Sequence, residues 1–325
     1  MNRTALKSFT HNAKDFLSVS KNDYKQWVFR YTFLELEKDL GLRGDISTDA
    51  VVKDGVVTAS VTVEEDGVAA GLEEIKYFLV DSDPRFRPRI GALEVEFLKK
   101  DGDKVTAGDK VLEIRGEARD ILKVERVVLN LIMRMSGVAS YTAALVEKVS
   151  GMGGEAGEVL LTPTRKTLWG WLDKKAVVLG GGGTHRLNLA DAVMLKDNHL
   201  ASVGGSVATA IKLIAEKTDT DPRFIEVEVE SKGQALKAAE VLTSFVEQKK
   251  IDVPVCLLLD NMSPDEIKDV VSALKEAGTY EDVLLEASGG INEENLEKYA
   301  GTGVDIISMG RLTTAAPSLS YSLHI

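Results

Sequence analysis

From about residue 156 onward, the chain repeats one pattern: a short β-rich apolar run ends at a polar or glycine-rich group, and a helical stretch follows. The runs are GEVLL before Thr164-Arg165-Lys166, AVML before Lys196-Asp197-Asn198-His199, FIEVEV with Glu228, CLLL before Asp260-Asn261, VLLEA before Ser288-Gly289-Gly290, and VDIIS before Gly310. Between most runs lie stretches such as SPDEIKDVVSALKEAG, whose apolar residues recur at helical spacing. Parallel strands joined by helices close into a barrel, and barrel sites gather at the carboxyl ends of the strands. The pattern therefore predicts an α/β barrel with its chemistry at one rim.

The first 120 residues follow a different pattern. A helical stretch at 23–41 precedes strand-like runs such as VVTASVTV and GVAAG, and Asp-Gly and Ala-Gly-Asp turns separate further strands up to residue 120. A helix or helix pair at 123–149 should link this part to the barrel. We predict an N-terminal α+β sandwich-like domain at 1–125, an incomplete TIM-like α/β barrel at 126–312, and a C-terminal tail at 313–325 that packs back on the N-terminal domain. The polar residues 1–22 give no prediction.

Composition narrows the class of protein. The chain has 325 residues, of which 44% are hydrophobic and 28% charged, as expected for a soluble protein of two domains. No apolar run approaches membrane-spanning length, and the first thirty residues do not resemble a signal peptide, so we expect a cytoplasmic protein without a membrane partner. A net charge of −11 argues against nucleic-acid binding. The single cysteine, Cys256, lies in a strand-like run, which excludes an intrachain disulfide and favours a buried thiol.

Cationic residues cluster against this acidic background. They flank glycines and strand ends between residues 165 and 199, and the cluster consists of Arg165, Lys166, His185, Arg186, Lys196 and His199. Gly180 to Gly183, followed by Thr184, precede the His-Arg pair. An acidic protein that concentrates cations in this way is expected to bind a small ligand with several negative charges.

Two further groups suggest parts of that ligand. Ser288, Gly289 and Gly290 follow one strand and precede the helical stretch NEENLEKYA, and Gly310 follows the next strand, which favours a phosphate cup with amides at a helix N-terminus. Glu228 and Asp260 end neighbouring strands, where two carboxylates suit a sugar diol, directly or through Mg²⁺. Glu226 and Glu230 share the strand face of Glu228, so spacing leaves open which of the three matters.

These residues together resemble the quinolinate phosphoribosyltransferase family. The motifs that carry the resemblance are RGDIST at 43–48, ERVVLNLIMRMSG at 125–137, TRKT at 164–167, GGGTHR ending at 186, LKDNH at 195–199, EVEV at 226–229, LLDNMSP at 258–264, LEASGGI at 285–291 and TGVDIISMG at 302–310. They occur in order over most of the chain beyond residue 30.

The resemblance implies a glycosyltransferase (pentosyltransferase) of NAD biosynthesis. Quinolinate and phosphoribosyl pyrophosphate, with Mg²⁺, would give nicotinate mononucleotide, pyrophosphate and CO₂. Quinolinate binding is implied for Arg165, His185 and Arg186 with Lys166 and Lys196 beside them, ribose binding for Glu228 and Asp260, and phosphate binding for Ser288, Gly289, Gly290 and Gly310. Catalytic roles are implied for Lys166, Lys196, Glu228 and Asp260, the last two also as metal ligands. Arg126 matches an arginine that the family supplies from a neighbouring subunit, which implies a homodimer or larger homo-oligomer with the active site at the interface.

The chain departs from the family pattern in places, and alternatives follow. Leu168-Trp169-Gly170-Trp171 replaces a proline-glycine-leucine-arginine turn, Thr184 replaces an asparagine, and Arg311 stands where a small residue is usual, before Thr313-Thr314 in place of threonine-histidine. Because the two tryptophans can reshape the lid over the pyridine, a related transferase using another pyridine such as nicotinate is one alternative. A molybdenum-transport-associated relative of the same fold and a non-catalytic anion-binding module are others. The intact Lys196-Asp197-Asn198-His199 favours the transferase.

Overall fold

The structure of the chain, a computed structural model, describes residues 2–83, 85, 89–153, 157–216 and 221–325. The helices are α1 (Arg3–His11), α2 (Asn22–Leu40), α3 (Ile46–Val51), α4 (Leu72–Lys76), α5 (Ala118–Val149), α6 (Trp171–Leu179), α7 (Asp197–Ser202), α8 (Val207–Ala215), α9 (Lys232–Glu247), α10 (Pro264–Glu276), α11 (Leu296–Ala300) and α12 (Arg311–Thr314). The strands are β1 (Val56–Val63), β2 (Gly67–Val68), β3 (Glu94–Phe97), β4 (Lys104–Val105), β5 (Lys110–Glu117), β6 (Leu160–Thr162), β7 (Val193–Leu195), β8 (Ile225–Val229), β9 (Val255–Asp260), β10 (Leu284–Ser288), β11 (Ile306–Ser308) and β12 (Tyr321–His324).

Two compact units share the chain, and each consists of three separate segments. The barrel unit contains Met1–Ala13, Ala144–Thr167 and Gly182–Thr314, and the sheet unit contains Lys14–Ala143, Leu168–Gly181 and Ala315–Ile325. This division differs from the contiguous boundaries predicted at 125/126 and 312/313. Helix α1 lies with the barrel strands rather than with the N-terminal domain, and most of α5 lies in the sheet unit.

The barrel unit is built on a parallel sheet of six strands in the order β6-β11-β10-β9-β8-β7. All six predicted apolar runs form these strands, so this prediction is confirmed. Helices α8, α9 and α10 also form where helical spacing predicted them. Strands β6 and β7 occupy the two edges of the sheet as described, so it is open, and the predicted incomplete barrel is confirmed.

On one face of the barrel sheet, apolar side chains lie toward the amino ends of the strands and polar side chains lie toward the carboxyl ends. On β10, Leu284, Glu286 and Ser288 share one face by the period of two. Leu284 packs with Cys256 and Ile306 in a buried apolar cluster, and Leu6 of α1 packs against that cluster. The polar residues therefore lie toward the carboxyl ends of the strands. The predicted buried thiol is also confirmed, and burial raises the pKa of Cys256 well above its usual value.

Helix α1 is tied to the barrel unit by one bidentate ion pair. The Arg3 guanidinium donates to both carboxylate oxygens of Asp305, at 2.7 Å each, and to the carbonyl of Tyr280 at 2.8 Å. Asp305 is fully buried. A planar guanidinium matches a carboxylate with two parallel bonds, which fixes the orientation of the helix as well as its position.

The sheet unit holds an antiparallel sheet in the order β12-β1-β5-β3. The C-terminal strand β12 pairs with β1, with Ser60 opposite His324. The predicted strand at GVAAG is shorter than expected: β2 ends at Val68, and the left-handed Gly71 (φ +103°) is the N-cap residue before α4. Glycine relieves the steric cost of that conformation.

The linking segment is a single helix, α5, whose predicted apolar stripe is buried at Val127, Leu131, Met135 and Val138. It is long and apolar enough to cross a membrane, although 67% of its most apolar window is buried within the fold. Arg134 on this helix donates to the fully buried Asp173 at 2.9 Å, which is a structural contact within the sheet unit.

Candidate active site

A cleft of about 730 Å³ lies in the barrel unit, and residues after β6, β9, β10 and β11 line it. It brings together most of the predicted site residues, namely Arg165, Lys166, His185, Arg186, Lys196, Glu228, Asp260, Ser288, Gly289, Gly290 and Gly310. The exception is Arg126, an exposed residue of α5 in the sheet unit, whose guanidinium contacts Glu125 at 2.6 Å. Parallel strands thus place their terminal polar groups in one cleft, as the sequence pattern predicted.

Cations converge on one part of the cleft. Arg186 is buried, and its pKa is lowered, first by burial and then by the neighbouring positive charge of Arg165. Arg165 is exposed at the cleft, and Lys166 follows it in the chain. The Lys166 carbonyl accepts a 2.7 Å hydrogen bond from Thr313 Oγ1, which ties this loop to α12. Two guanidiniums held close together repel each other, so an anion between them is stabilised.

Two carboxylates lie beside the cations. Lys196 Nζ donates to Glu228 Oε2. Burial and then the negative charge of Glu228 raise the pKa of Asp260, and both carboxylates line the cleft. Glu226 is fully buried and Glu230 is exposed, so Glu228 is the member of this strand face that lines the cleft. Adjacent carboxylates with partial access suit a hard cation such as Mg²⁺ or a sugar diol.

The glycine loops differ in part from the prediction. Gly289 (φ +96°) cannot carry a side chain, because a Cβ would lie 2.3 Å from Asn261 Oδ1. The predicted helix N-terminus beside these glycines is wrong, since α11 begins only at Leu296. The Asn292 side chain accepts from the amide of Asn295 at 3.2 Å and holds a turn there instead.

Sequence reasoning did not assign Arg311 to the site. It follows Gly310, begins α12, lines the cleft and forms an ion pair with Glu293 at 3.2 Å. The sequence did contain an indication of this role, because Arg311 directly follows Gly310, which was predicted to bind phosphate, and a guanidinium there adds a group that binds anions. Glu286 was also missed: it lies two residues before Ser288 on the same strand face and lines the cleft floor.

The two histidines of the predicted cluster have different surroundings. His199 Nδ1 accepts from the Lys196 amide at 3.0 Å and caps α7, which is a structural role. His185 is buried with its Nε2 3.4 Å from Glu226 and 3.3 Å from Glu286, and it has a left-handed backbone, with φ +51°. A non-glycine residue in this conformation is strained and needs surrounding contacts to hold it.

The glycine run before His185 is tightly packed rather than loose. A Cβ at Gly183 would lie 2.5 Å from the carbonyl oxygen of His11. The tryptophans of the altered loop pack within the sheet unit, Trp169 on Tyr31 at 4.7 Å and Trp171 on Trp27 at 5.8 Å between ring centroids. Their effect on substrate preference stays a prediction.

Comparison with known proteins agrees with this arrangement. Family models described as quinolinate phosphoribosyl transferase match the chain twice, the N-terminal domain at residues 45–136 and the C-terminal domain at 138–324. A probable nicotinate-nucleotide pyrophosphorylase (carboxylating) of Methanothermobacter thermautotrophicus is 38% identical over 293 residues, 89% of this chain and 96% of that protein. Quinolinate phosphoribosyltransferase (decarboxylating) 2a, mitochondrial, of Nicotiana tabacum is 37% identical over 302 residues, 90% of this chain and 80% of that protein. The solved nicotinate-nucleotide pyrophosphorylase of Francisella tularensis superposes with a TM-score of 0.76 at 30% identity, covering 92% of this chain and 96% of that one. The chain therefore belongs to the quinolinate phosphoribosyltransferase family.

Proposed function

We propose that this protein transfers a phosphoribosyl group to quinolinate with loss of CO₂, giving nicotinate mononucleotide and pyrophosphate for NAD biosynthesis. The words carboxylating and decarboxylating in the relatives' names describe the two directions of this reaction. The observation that carries the proposal is the charge of the cleft. Five Lys and Arg side chains and three carboxylates line it, in a chain whose net charge is −11. Both substrates carry several negative charges, and this local excess of cations suits them.

The first step replaces pyrophosphate by the pyridine nitrogen at the ribose anomeric carbon. As the bond to pyrophosphate breaks, positive charge develops on the ribose, and Glu228 and Asp260 stabilise it electrostatically. Lys166 and Lys196 offset the charge of the departing pyrophosphate. Arg165, His185 and Arg186 hold the two quinolinate carboxylates, so that the ring nitrogen faces the anomeric carbon. The 5′-phosphate binds at Ser288, Gly289, Gly290 and Gly310.

The second step removes the carboxylate next to the ring nitrogen. Once that nitrogen carries the ribose, it is positively charged and can stabilise the electron pair that remains on carbon 2 when CO₂ leaves. A proton from solvent then completes nicotinate mononucleotide. The cations that held the carboxylate contribute by positioning, because a strong ion pair to the departing group would oppose its loss.

Magnesium belongs to the same proposal. Glu228 and Asp260 would hold it, and its fit is supported by the donor set, two carboxylates that both line the cleft. The ion would supply positive charge against pyrophosphate. Chelation with EDTA should abolish activity, and added Mg²⁺ should restore it; full activity in EDTA would contradict this assignment.

We further infer a homodimer or larger homo-oligomer in which Arg126 acts in the neighbouring subunit's site. Exposed apolar side chains near α2 and α3 support an interface, since Leu34, Leu42 and Ile46 are each more than half exposed. Arg126→Ala and Lys196→Ala should each be inactive, whereas mixed subunits should regain activity. Failure of mixing to restore activity would count against a shared site.

A cytoplasmic location completes the proposal. The burial of most of the apolar window of α5 within the fold supports it. Fractionation of cells should find the protein with soluble markers.

The decisive test supplies purified protein with quinolinate, phosphoribosyl pyrophosphate and Mg²⁺, and measures nicotinate mononucleotide and CO₂ together. Equal amounts of both products are expected. Nicotinate is the matched competitor, because it lacks the carboxylate that leaves. Product from nicotinate in place of quinolinate would keep the ribosyl-phosphate site but overturn the substrate assignment, and would point to the altered tryptophan loop. Anion binding without any product would favour a non-catalytic module or the molybdenum-transport-associated relative.

A further inference from the structure

Helix α1, which the sequence left without a prediction, ends in His11, which contacts Glu286 of the cleft lining. His11 is fully buried, and its Nε2 lies 3.0 Å from Glu286 Oε2 and 3.9 Å from Glu226 Oε1. The same two carboxylates use their other oxygens toward His185, at 3.3 and 3.4 Å. We call these four side chains, His11, His185, Glu226 and Glu286, the His–Glu cluster. In it, each glutamate bridges both imidazoles.

The backbone of His11 holds the same loop. The His11 carbonyl accepts hydrogen bonds from the amides of Thr184, at 2.7 Å, and His185, at 3.1 Å. Thr184 Oγ1 in turn accepts from the Ala13 amide at 2.9 Å. Thr184 is one of the departures from the family pattern, and here it joins the loop to the end of α1. These bonds hold the left-handed backbone of His185, which would otherwise be strained.

The hydrogen bonds fix where the protons lie. The Arg186 amide donates to His185 Nδ1 at 2.6 Å, so a neutral His185 carries its proton on Nε2, which faces the carboxylates. Thr10 Oγ1 donates its only hydrogen to the Leu6 carbonyl, at 3.0 Å. In its 2.7 Å contact with His11 Nδ1 the hydroxyl must therefore accept, so His11 Nδ1 carries a proton. His11 Nε2 then faces Glu286 at 3.0 Å, where only a protonated nitrogen is favourable. His11 is therefore an imidazolium.

The charges agree with this assignment. Burial alone would lower the pKa of His11, but Glu226 and Glu286 raise it to about 9. Both glutamates are fully buried, and the Cys256 thiol also hydrogen-bonds to Glu226. The imidazolium of His11 thus compensates charge that would otherwise be buried uncompensated.

The donor types of the cluster, two imidazoles and two carboxylates within 4.8 Å of one another, are also those of a metal site. The position of the protons disfavours that interpretation. A metal-binding histidine donates from its other ring nitrogen, whereas His185 Nδ1 accepts from Arg186, so its Nε2 has no lone pair for a cation.

We propose that His11 is a positioning residue for His185: its imidazolium bridges Glu226 and Glu286, and its carbonyl holds the His185 backbone, so that α1 forms part of the quinolinate site. The proposal rests on the proposed function, because that function assigns His185 to quinolinate. It predicts that a change at His11 alters quinolinate binding although His11 does not contact the substrate.

The test is His11→Gln, which keeps two amide hydrogens near the carboxylates but removes the charge. The KM for quinolinate should rise about tenfold or more, as on loss of one contact to a charged group, whereas the KM for phosphoribosyl pyrophosphate should change less than about twofold. The control is Leu6→Ala on the same helix, which removes apolar packing and leaves the ring. It should lower the melting temperature with the quinolinate KM within about twofold of wild type. An unchanged quinolinate KM in folded His11→Gln, or an equal rise in Leu6→Ala, would overturn the proposal.

Nitrogen-15 spectra of the imidazole groups test the assignment without any substrate, so they distinguish it from the proposed function. In the wild-type protein at neutral pH, both ring nitrogens of His11 should be protonated, and His185 should be protonated at Nε2 only. The His185 signals should shift in His11→Gln. A neutral His11, a proton on His185 Nδ1, or a stoichiometric zinc ion in the purified protein would each overturn the proposal, even if the enzyme turned over quinolinate normally.

Discussion

Replacing Asp260 by asparagine should separate catalysis from anion binding. Asp260 is one of three carboxylates that face five Lys and Arg side chains in the cleft, so Asp260→Asn leaves five cations against two carboxylates. Burial and Glu228 raise the pKa of Asp260, which indicates that the two carboxylates concentrate negative charge at one point. Losing one group that stabilises developing charge should lower kcat by about 10²–10³-fold. Anion affinity should be kept or strengthened, because a repelling charge has gone.

The assay measures kcat with quinolinate, phosphoribosyl pyrophosphate and Mg²⁺, and it measures pyrophosphate affinity by calorimetry without Mg²⁺, so that the charge effect is separated from any loss of a metal ligand. Asp265→Asn is the matched control, because Asp265 lies five residues further along at the start of α10 and its side chain is 95% exposed. The control should keep wild-type kcat. If Asp260→Asn kept kcat within about threefold, or lost pyrophosphate affinity together with kcat, the reasoning from charge would be refuted.

Three further predictions follow from the same contacts. Arg311→Ala should raise the KM for phosphoribosyl pyrophosphate about tenfold with kcat little changed, because a guanidinium leaves the phosphate loops, and steady-state kinetics checks this. Asp173→Asn removes the carboxylate beside the buried Arg134 guanidinium and should lower the free energy of unfolding by about 3–5 kcal/mol, measured by urea denaturation. Burial alone would lower the pKa of His11, but the two glutamates of the His–Glu cluster raise it from 6.5 to about 9. The Cys256 thiol lies next to these glutamates, and its own pKa is raised well above the usual value. Protonated His11 should therefore contribute about 3 kcal/mol to the free energy of unfolding below pH 6.5, and this contribution should be lost as the pH rises through 9. Urea denaturation at several pH values should show this loss in the wild-type protein and not in His11→Gln.

The barrel and the cleft could be predicted because their signals are local. Each strand is a short apolar run, and the group that ends it lies next to it in the sequence, so Lys196, Glu228 and Asp260 could be assigned to one rim from the order of the runs alone. The depth of each side chain could not be predicted in this way. Glu226 and Glu228 share a strand face, yet one is fully buried against two imidazoles and the other lines the cleft.

Contacts between distant segments account for most of what the sequence did not predict. His11 is 275 residues from Glu286 along the chain and 215 from Glu226, and nothing in the motif THNAKDF indicates either partner. The late start of α11 has a local cause that helical spacing misses, since asparagine side chains offered the backbone a turn instead. The altered tryptophan loop could be noticed from the sequence, but its packing on Tyr31 and Trp27 depends on α2, more than a hundred residues earlier.

The interleaved segments of the two units affect how the chain folds as it leaves the ribosome. Arg3 is 302 residues from its partner Asp305, and β1 is completed by β12 at the far end of the chain. Synthesis proceeds from the amino terminus, so α1 and β1 emerge long before the segments that complete their packing. Neither unit can acquire its full set of contacts until nearly the whole chain has been made, and closing such long loops is slow. A chain stalled before residue 305 would hold the α1 segment without Asp305, the partner of its bidentate ion pair.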